Sequence, residues 1–118
     1  MKRIAILGAT GSIGRSALAV IDAHAERLVV TALAAGRNGG SFAELVERYR
    51  PRAISMSTGP ALEEVRRALG PAARERVQVF AHGTPGLVEV ATQPDVDIVL
   101  CASSGTAALE AVLAAIAA

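Results

Sequence analysis

Along this 118-residue chain, short continuous apolar runs alternate with apolar stripes at helical spacing. Ile4-Ala5-Ile6-Leu7 ends at Gly8 and reads as a strand buried on both faces. From Ser12 onward, Ile13, Ala17, Val20 and Ile21 define one helical face, with Arg15, Ser16, Asp22 and His24 on the wetter side. Leu28 to Ala35 is a second strand, stopped by Gly36-Arg37-Asn38-Gly39-Gly40. Ser41 and Glu44 form a capping box that opens a helix with Phe42, Leu45, Val46 and Tyr49 inward, and Pro51 prevents its continuation.

The alternation continues with a third strand from Ala53 to Met56. Pro60 suits the first turn of a helix whose inward stripe is Leu62, Val65 and Leu69, while Glu64, Arg66 and Arg67 face water. Gly70-Pro71 reads as a stop signal. Val77 to Phe80 is the fourth strand, and Thr84-Pro85 caps a short helix carrying Leu87, Val88 and Ala91. Val96 to Cys101 is the fifth strand. Ser103-Ser104-Gly105 then opens a last helix with Leu109, Val112, Leu113 and Ile116 on one face.

Five strand-helix repeats with short connections predict an α/β fold: a Rossmann-type doubly wound parallel sheet with helices on both faces, as a single domain over residues 1–118. Composition agrees, since 52% of residues are hydrophobic but only 3% aromatic, so the core is built from Ala, Val, Leu and Ile. Complete dinucleotide folds commonly have six strands, so the chain reads as a fragment of a longer enzyme. An absent sixth strand leaves a sheet edge or helix face available for self-association, as in a homodimer.

Charge narrows the function classes. Twelve Lys and Arg against eleven Asp and Glu give a net charge of +1, with no broad basic field for nucleic acid or an anionic membrane. No uncharged apolar stretch reaches the roughly 20 residues of a membrane helix. One cysteine excludes an intrachain disulfide framework and fits a reducing compartment, so a cytoplasmic location is expected.

The candidate chemistry begins at Gly8-Ala9-Thr10-Gly11-Ser12-Ile13-Gly14. Three glycines after a strand and before a helix serve a tight strand exit, close approach of backbone to a diphosphate, and close helix-strand packing. The helix N-terminus adds free N–H groups and its dipole. The spacing is Gly-x-x-Gly-x-x-Gly, which adds the Thr10 hydroxyl. NAD-binding domains place an acid roughly 20 residues past this motif for the ribose 2′-hydroxyl. Here Gly36-Arg37-Asn38 stands instead, and a guanidinium pairs with a 2′-phosphate, so NADP is predicted over NAD. Ser104 and Gly105, after the fifth strand, share the rim where ligands of open α/β sheets bind, though Ser103 or Ser104 serves equally well as an N-cap.

Cys101 ends an apolar run and reads as an inert core thiol. His24 and His82 stand apart, without a carboxylate or second ligand at a recognisable spacing, and read as solvated. No catalytic residue and no metal-ligand cluster is predicted within this chain.

Taken together, Ile6 to Gly14, Ala35-Gly36-Arg37-Asn38, Asp95-Val96-Asp97, Ser104-Gly105 and Leu113-Ala114-Ala115-Ile116 resemble the N-terminal, NADPH-binding part of the 1-deoxy-D-xylulose-5-phosphate reductoisomerase family. The first stretch is shared with other reductases, aspartate-semialdehyde dehydrogenase among them, and a non-catalytic nucleotide-sensing module is a further alternative. The resemblance implies that Thr10, Gly11, Ser12 and Ile13 contact the diphosphate and nicotinamide side of NADPH, and that Gly36, Arg37 and Asn38 hold its adenosine phosphate end. It implies that the intact enzyme belongs to the non-mevalonate isoprenoid pathway. There it binds a divalent metal, Mg or Mn, rearranges a phosphorylated sugar and reduces the product with NADPH to 2-C-methyl-D-erythritol 4-phosphate. This chain alone is expected to bind cofactor without turnover.

Overall fold

The computed structural model describes residues 1–102 and 106–117. In chain order the elements are β1 (Lys2–Leu7), α1 (Ser12–Ala23), β2 (Leu28–Ala34), α2 (Gly39–Tyr49), β3 (Ala53–Met56) and α3 (Gly59–Ala68). They continue with α4 (Pro71–Arg76), β4 (Val79–His82), α5 (Gly83–Ala91), β5 (Ile98–Cys101) and α6 (Thr106–Ala117). The strands pair in parallel as one sheet in the order β4-β3-β2-β1-β5. The expected doubly wound parallel sheet is therefore the observed fold.

Side chains alternate across a strand, so a strand covered on both faces is apolar at nearly every position, with Ser55 of β3 the buried polar exception. On one face Ile4, Ile6, Leu33, Ile54 and Met56 pack against Leu18 and Ile21 of α1, Phe42 and Val46 of α2, and Leu62 and Val65 of α3. The opposite face is built from small residues, with Ala5, Ala32, Ala34 and Ala53 beside Leu7, and receives Val90 and Ala91 of α5 and Ala111 of α6. Each large aliphatic or aromatic side chain fully buried this way contributes roughly 1.5–3 kcal/mol. Small residues let α5 approach closely. A β-carbon at Gly86 would lie 2.5 Å from Ser55 Oγ and 3.0 Å from the Ala81 carbonyl carbon. Between Ile4 and Ala5 the register with β2 slips by one residue, leaving Thr31 as a bulge.

Several expectations are corrected. In α1 the buried stripe is Gly14, Leu18 and Ile21, while Ile13 and Val20 are exposed. Contact between Gly14 and Gly8 sets the phase of the helix, and positions four and seven residues on follow it inward. In α2 the cap is Asn38, whose Oδ1 accepts from Ser41 N at 3.2 Å, so Ser41 is a first-turn residue and not half of a capping box. Asn caps as well as Ser, and Gly39 fits because a β-carbon there would fall 2.5 Å from Glu64 Oε1. Gly70-Pro71 does end α3, but Pro71 also opens α4, since its fixed φ and missing N–H suit a first helical position.

The later strands start two residues further on than expected, β4 at Val79 and β5 at Ile98. α5 opens at Gly83, whose φ of +71° favours glycine, with His82 rather than Thr84 at the cap. Arg66 does not simply face water. Its guanidinium stands 4.4 Å from the Phe80 ring centroid and 3.3 Å from Glu63. In α6, Ala111 is buried whereas Leu113 and Ile116 are exposed; Leu109 lies outside the described side chains. Cys101 is exposed and not a core thiol, because β5 has β1 on one side only among the described strands. Among the described residues no helix is long and apolar enough to cross a membrane.

Candidate cofactor site at the carboxyl rim

Strand order places the site. From β1 the chain steps outward through β2, β3 and β4, then α5 carries it back so that β5 pairs with the free side of β1. The crevice outside the carboxyl ends of β1 and β5 is thus the switch point, where open α/β sheets take their ligands. Backbone bonds tie the rim together. Gly8 and Ala9 donate to the Ala34 carbonyl at 2.9 Å, and Ala102 donates to Leu7 O at 2.8 Å. Ser57 donates to Gly36 O from its backbone N at 3.0 Å and from its Oγ at 2.9 Å.

The three glycines of the turn do three different things. Gly8 has a φ of +85°, which a side chain strongly disfavours. At Gly14 a β-carbon would lie 2.2 Å from Gly8 O and 2.9 Å from Ala9 Cα, so glycine here allows the helix to touch the strand exit. Gly11 is the contrasting case. Among the described residues a β-carbon there would meet only Gly8 O, at an ordinary 3.7 Å, a contact that does not demand glycine at that exposed position. The space it leaves is the kind that a diphosphate approaching the backbone would use.

Among the described residues, no side chain caps the start of helix α1. Gly11 at the cap provides no side-chain acceptor, and the first turn has no acidic residue. Arg15 N donates to Gly11 O at 2.9 Å, but the N–H groups of Ser12, Ile13 and Gly14 have no acceptor among the described residues. Three donors at the positive end of a helix dipole form an anion site of the kind a diphosphate fills. Ile13 is 68% exposed on the same turn, an apolar side chain available to a ligand.

Gly36, Arg37 and Asn38 lie together and exposed after β2, on the same rim as the turn. The Arg37 guanidinium has no acidic, hydroxyl or carbonyl partner among the described residues. Asn38 spends Oδ1 on the Ser41 N–H and keeps its amide N–H groups. Ser104 and Gly105 fall outside the described residues, and so does Ser103. His24 follows α1 and His82 ends β4, and both are exposed, as expected. Among the described residues no three His, Cys, Asp or Glu side chains gather as a metal site.

One residue of the rim went unnoticed in the residue pattern. Arg15 donates from Nε to Thr10 O at 3.2 Å and from Nη2 to Ser41 Oγ, joining the glycine turn to the start of α2. A signal for it did exist: a cation in the first turn of a helix opposes the dipole, so helix energetics alone do not account for it.

The chain from residue 4 to residue 118 matches the family model described as 1-deoxy-D-xylulose 5-phosphate reductoisomerase. Proteins of that name from Anaeromyxobacter sp. (strain K) and Heliobacterium modesticaldum are 43% and 45% identical over 116 residues, 98% of this chain. A solved reductoisomerase from Zymomonas mobilis in complex with NADPH superposes with a TM-score of 0.85 at 34% identity, over 98% of this chain and 29% of that one. A crystal structure of DOX-P reductoisomerase in complex with magnesium gives 0.88 at 33% identity, over 98% and 28%. The chain thus spans a little under a third of its relatives' length, 28% and 29% of the two named. By family model, relatives and fold, it belongs to the 1-deoxy-D-xylulose 5-phosphate reductoisomerase family.

Proposed function

We propose that this chain is the NADPH-holding domain of a reductoisomerase that rearranges 1-deoxy-D-xylulose 5-phosphate and reduces the product to 2-C-methyl-D-erythritol 4-phosphate. The observation that carries this reading is an Arg37 without a partner and an α1 N-terminus without a side-chain cap, among the described residues, on one rim. The N–H groups of Ser12, Ile13 and Gly14 hold the diphosphate, with Gly11 leaving it room and Gly8 and Gly14 fixing the turn. Thr10 borders the diphosphate, and the Ile13 side chain packs toward the nicotinamide. Arg37 pairs with the 2′-phosphate, flanked by Gly36 and Asn38. Ser104 and Gly105 line the β5 side of the crevice.

Bound NADPH supplies the hydride. The residues of this domain hold and orient it. In this reading the divalent cation and the phosphorylated sugar are held by the remainder of a cytoplasmic full-length enzyme, and the present chain alone binds cofactor without turnover. The reading is supported by the NADPH complex of the Zymomonas relative.

Titration of the chain with NADPH and NADH tests it. Wild type should favour NADPH, and Arg37→Ala should weaken NADPH binding roughly 10- to 100-fold, the worth of a charged hydrogen bond of about 1.5–3 kcal/mol, while changing NADH little. Equal affinities of wild type for the two cofactors, or a preference untouched by Arg37→Ala, would remove Arg37 from the role.

A further inference from the structure

We propose that Arg15 is a second cation of the adenosine 2′-phosphate site and so selects NADPH over NADH together with Arg37. This rests on the cofactor reading above and adds to it a residue from a different element.

Arg15 stands at the end of the first turn of α1, where the helix dipole disfavours a positive charge, so helix energetics do not explain it. Its guanidinium is not stray. Nε is fixed on Thr10 O at 3.2 Å and Nη2 on Ser41 Oγ, and Ser41 in turn donates its N–H to Asn38 Oδ1 at 3.2 Å. The chain Thr10, Arg15, Ser41, Asn38 therefore runs continuously from the glycine turn to the loop that carries Arg37. In a dinucleotide fold the adenosine ribose lies between these two segments. Both anchoring acceptors are neutral, so the charge itself is unmatched, and the remaining guanidinium N–H groups have no acceptor among the described residues. The Glu64 carboxylate, which lies against Gly39, pairs with neither Arg15 nor Arg37. A guanidinium held by two of its donors presents the rest as a preorganised fork, the geometry that suits a phosphate.

The test separates the phosphate from the rest of the nucleotide by titrating the chain with 2′,5′-ADP and with 5′-ADP. Arg15→Ala should weaken 2′,5′-ADP about tenfold and leave 5′-ADP within about twofold, and Arg15→Lys should recover part of the loss by restoring charge without the fork. Thermal unfolding of each variant, expected near wild type for this exposed side chain, keeps a folding defect from passing as a binding one. Equal losses on both ligands would make Arg15 only a clamp between turn and loop, and no loss would remove it from the site. If wild type prefers 2′,5′-ADP and Arg37→Ala abolishes that preference while Arg15→Ala does not, this inference alone falls. If wild type binds neither ligand, the cofactor reading falls with it.

Discussion

At the amino rim of the sheet, three arginines meet carboxylates: Arg3 lies 3.4 Å from Asp97, Arg52 lies 2.7 Å from Asp95 and Arg48 lies 2.6 Å from Asp22, while Arg50 bonds only the Glu47 carbonyl among the described residues. At the carboxyl rim Arg15 finds only a carbonyl and a hydroxyl, and Arg37 has no partner among the described residues. The same side chain thus does two jobs. Where its charge is matched within the chain it fastens strand starts and helix ends to one another. Where the charge is left over, next to N–H groups that also lack acceptors among the described residues, the proposed function assigns the matching anion to the cofactor. Tyr49 belongs to the first group. Its hydroxyl donates to Asp22 at 3.0 Å, and burial, followed by that bond and the Asp22 charge, pushes the phenol up.

The largest effect that can test this contrast is expected within the glycine turn. Gly14→Ala drives a β-carbon to 2.2 Å from Gly8 O, a backbone atom that is itself bonded to Gly11 N. It should cost about 1–3 kcal/mol, lowering the thermal midpoint by about 3–6 °C for each kcal/mol, and cofactor binding should go with it. Gly11→Ala meets only an ordinary contact, so its midpoint should stay near wild type while NADPH titration shows a clear loss. Wild-type binding by Gly11→Ala would mean that the space beside the turn is not the ligand's.

How far the residues announced this arrangement differs between fold and site. The parallel sheet was legible because β1, β2 and β3 are largely apolar on both faces, Ser55 apart, and each is followed by a helical stripe such as Leu62, Val65 and Leu69. Helix phase was less so: Ile13 and Val20 look more apolar than Gly14, and only the contact of Gly14 with Gly8 turns them outward. Asn38 and Ser41 are equally good caps, so spacing could not choose between them, and the chain starts α2 at Gly39 behind Asn38. The glycine turn and Arg37 are local signals and could be read directly. Arg15 was missed because its contacts, to Thr10 and to Ser41 twenty-six residues on, join separate elements.

A smaller effect is expected at the opposite rim. Arg52 bonds Asp95 Oδ2 at 2.7 Å and Gln78 Oε1 at 3.2 Å, tying the segments that precede β3, β4 and β5. Arg52→Ala should cost about 0.5–1.5 kcal/mol in urea unfolding, since one partner is partly buried, and should leave NADPH affinity at the wild-type value. A drop in affinity as large as that of Arg37→Ala would mean that the two rims are not separate in function.

The smallest effect concerns Asp97, whose Oδ2 accepts from the Arg3 backbone N–H at 2.8 Å and from Arg3 Nε at 3.4 Å. The backbone bond first, then the side-chain bond and the nearby charges of Arg3 and Lys2, hold its carboxyl below the ordinary carboxylate range. The folded chain therefore prefers the ionised form more than the unfolded chain does. That preference contributes fully at neutral pH, begins to fade as pH falls through the ordinary carboxylate range, and is gone below the lowered folded value. Asp97→Asn keeps an acceptor for the Arg3 N–H and removes only the charge. Wild type should thus be slightly more stable than Asp97→Asn in urea unfolding at pH 7, and the gap should close toward pH 3. A gap of the same size at both values would place the role of Asp97 in its shape and not its charge. Cofactor titration at pH 7 should not distinguish the two proteins, because this pair satisfies its charge at the rim away from the glycine turn.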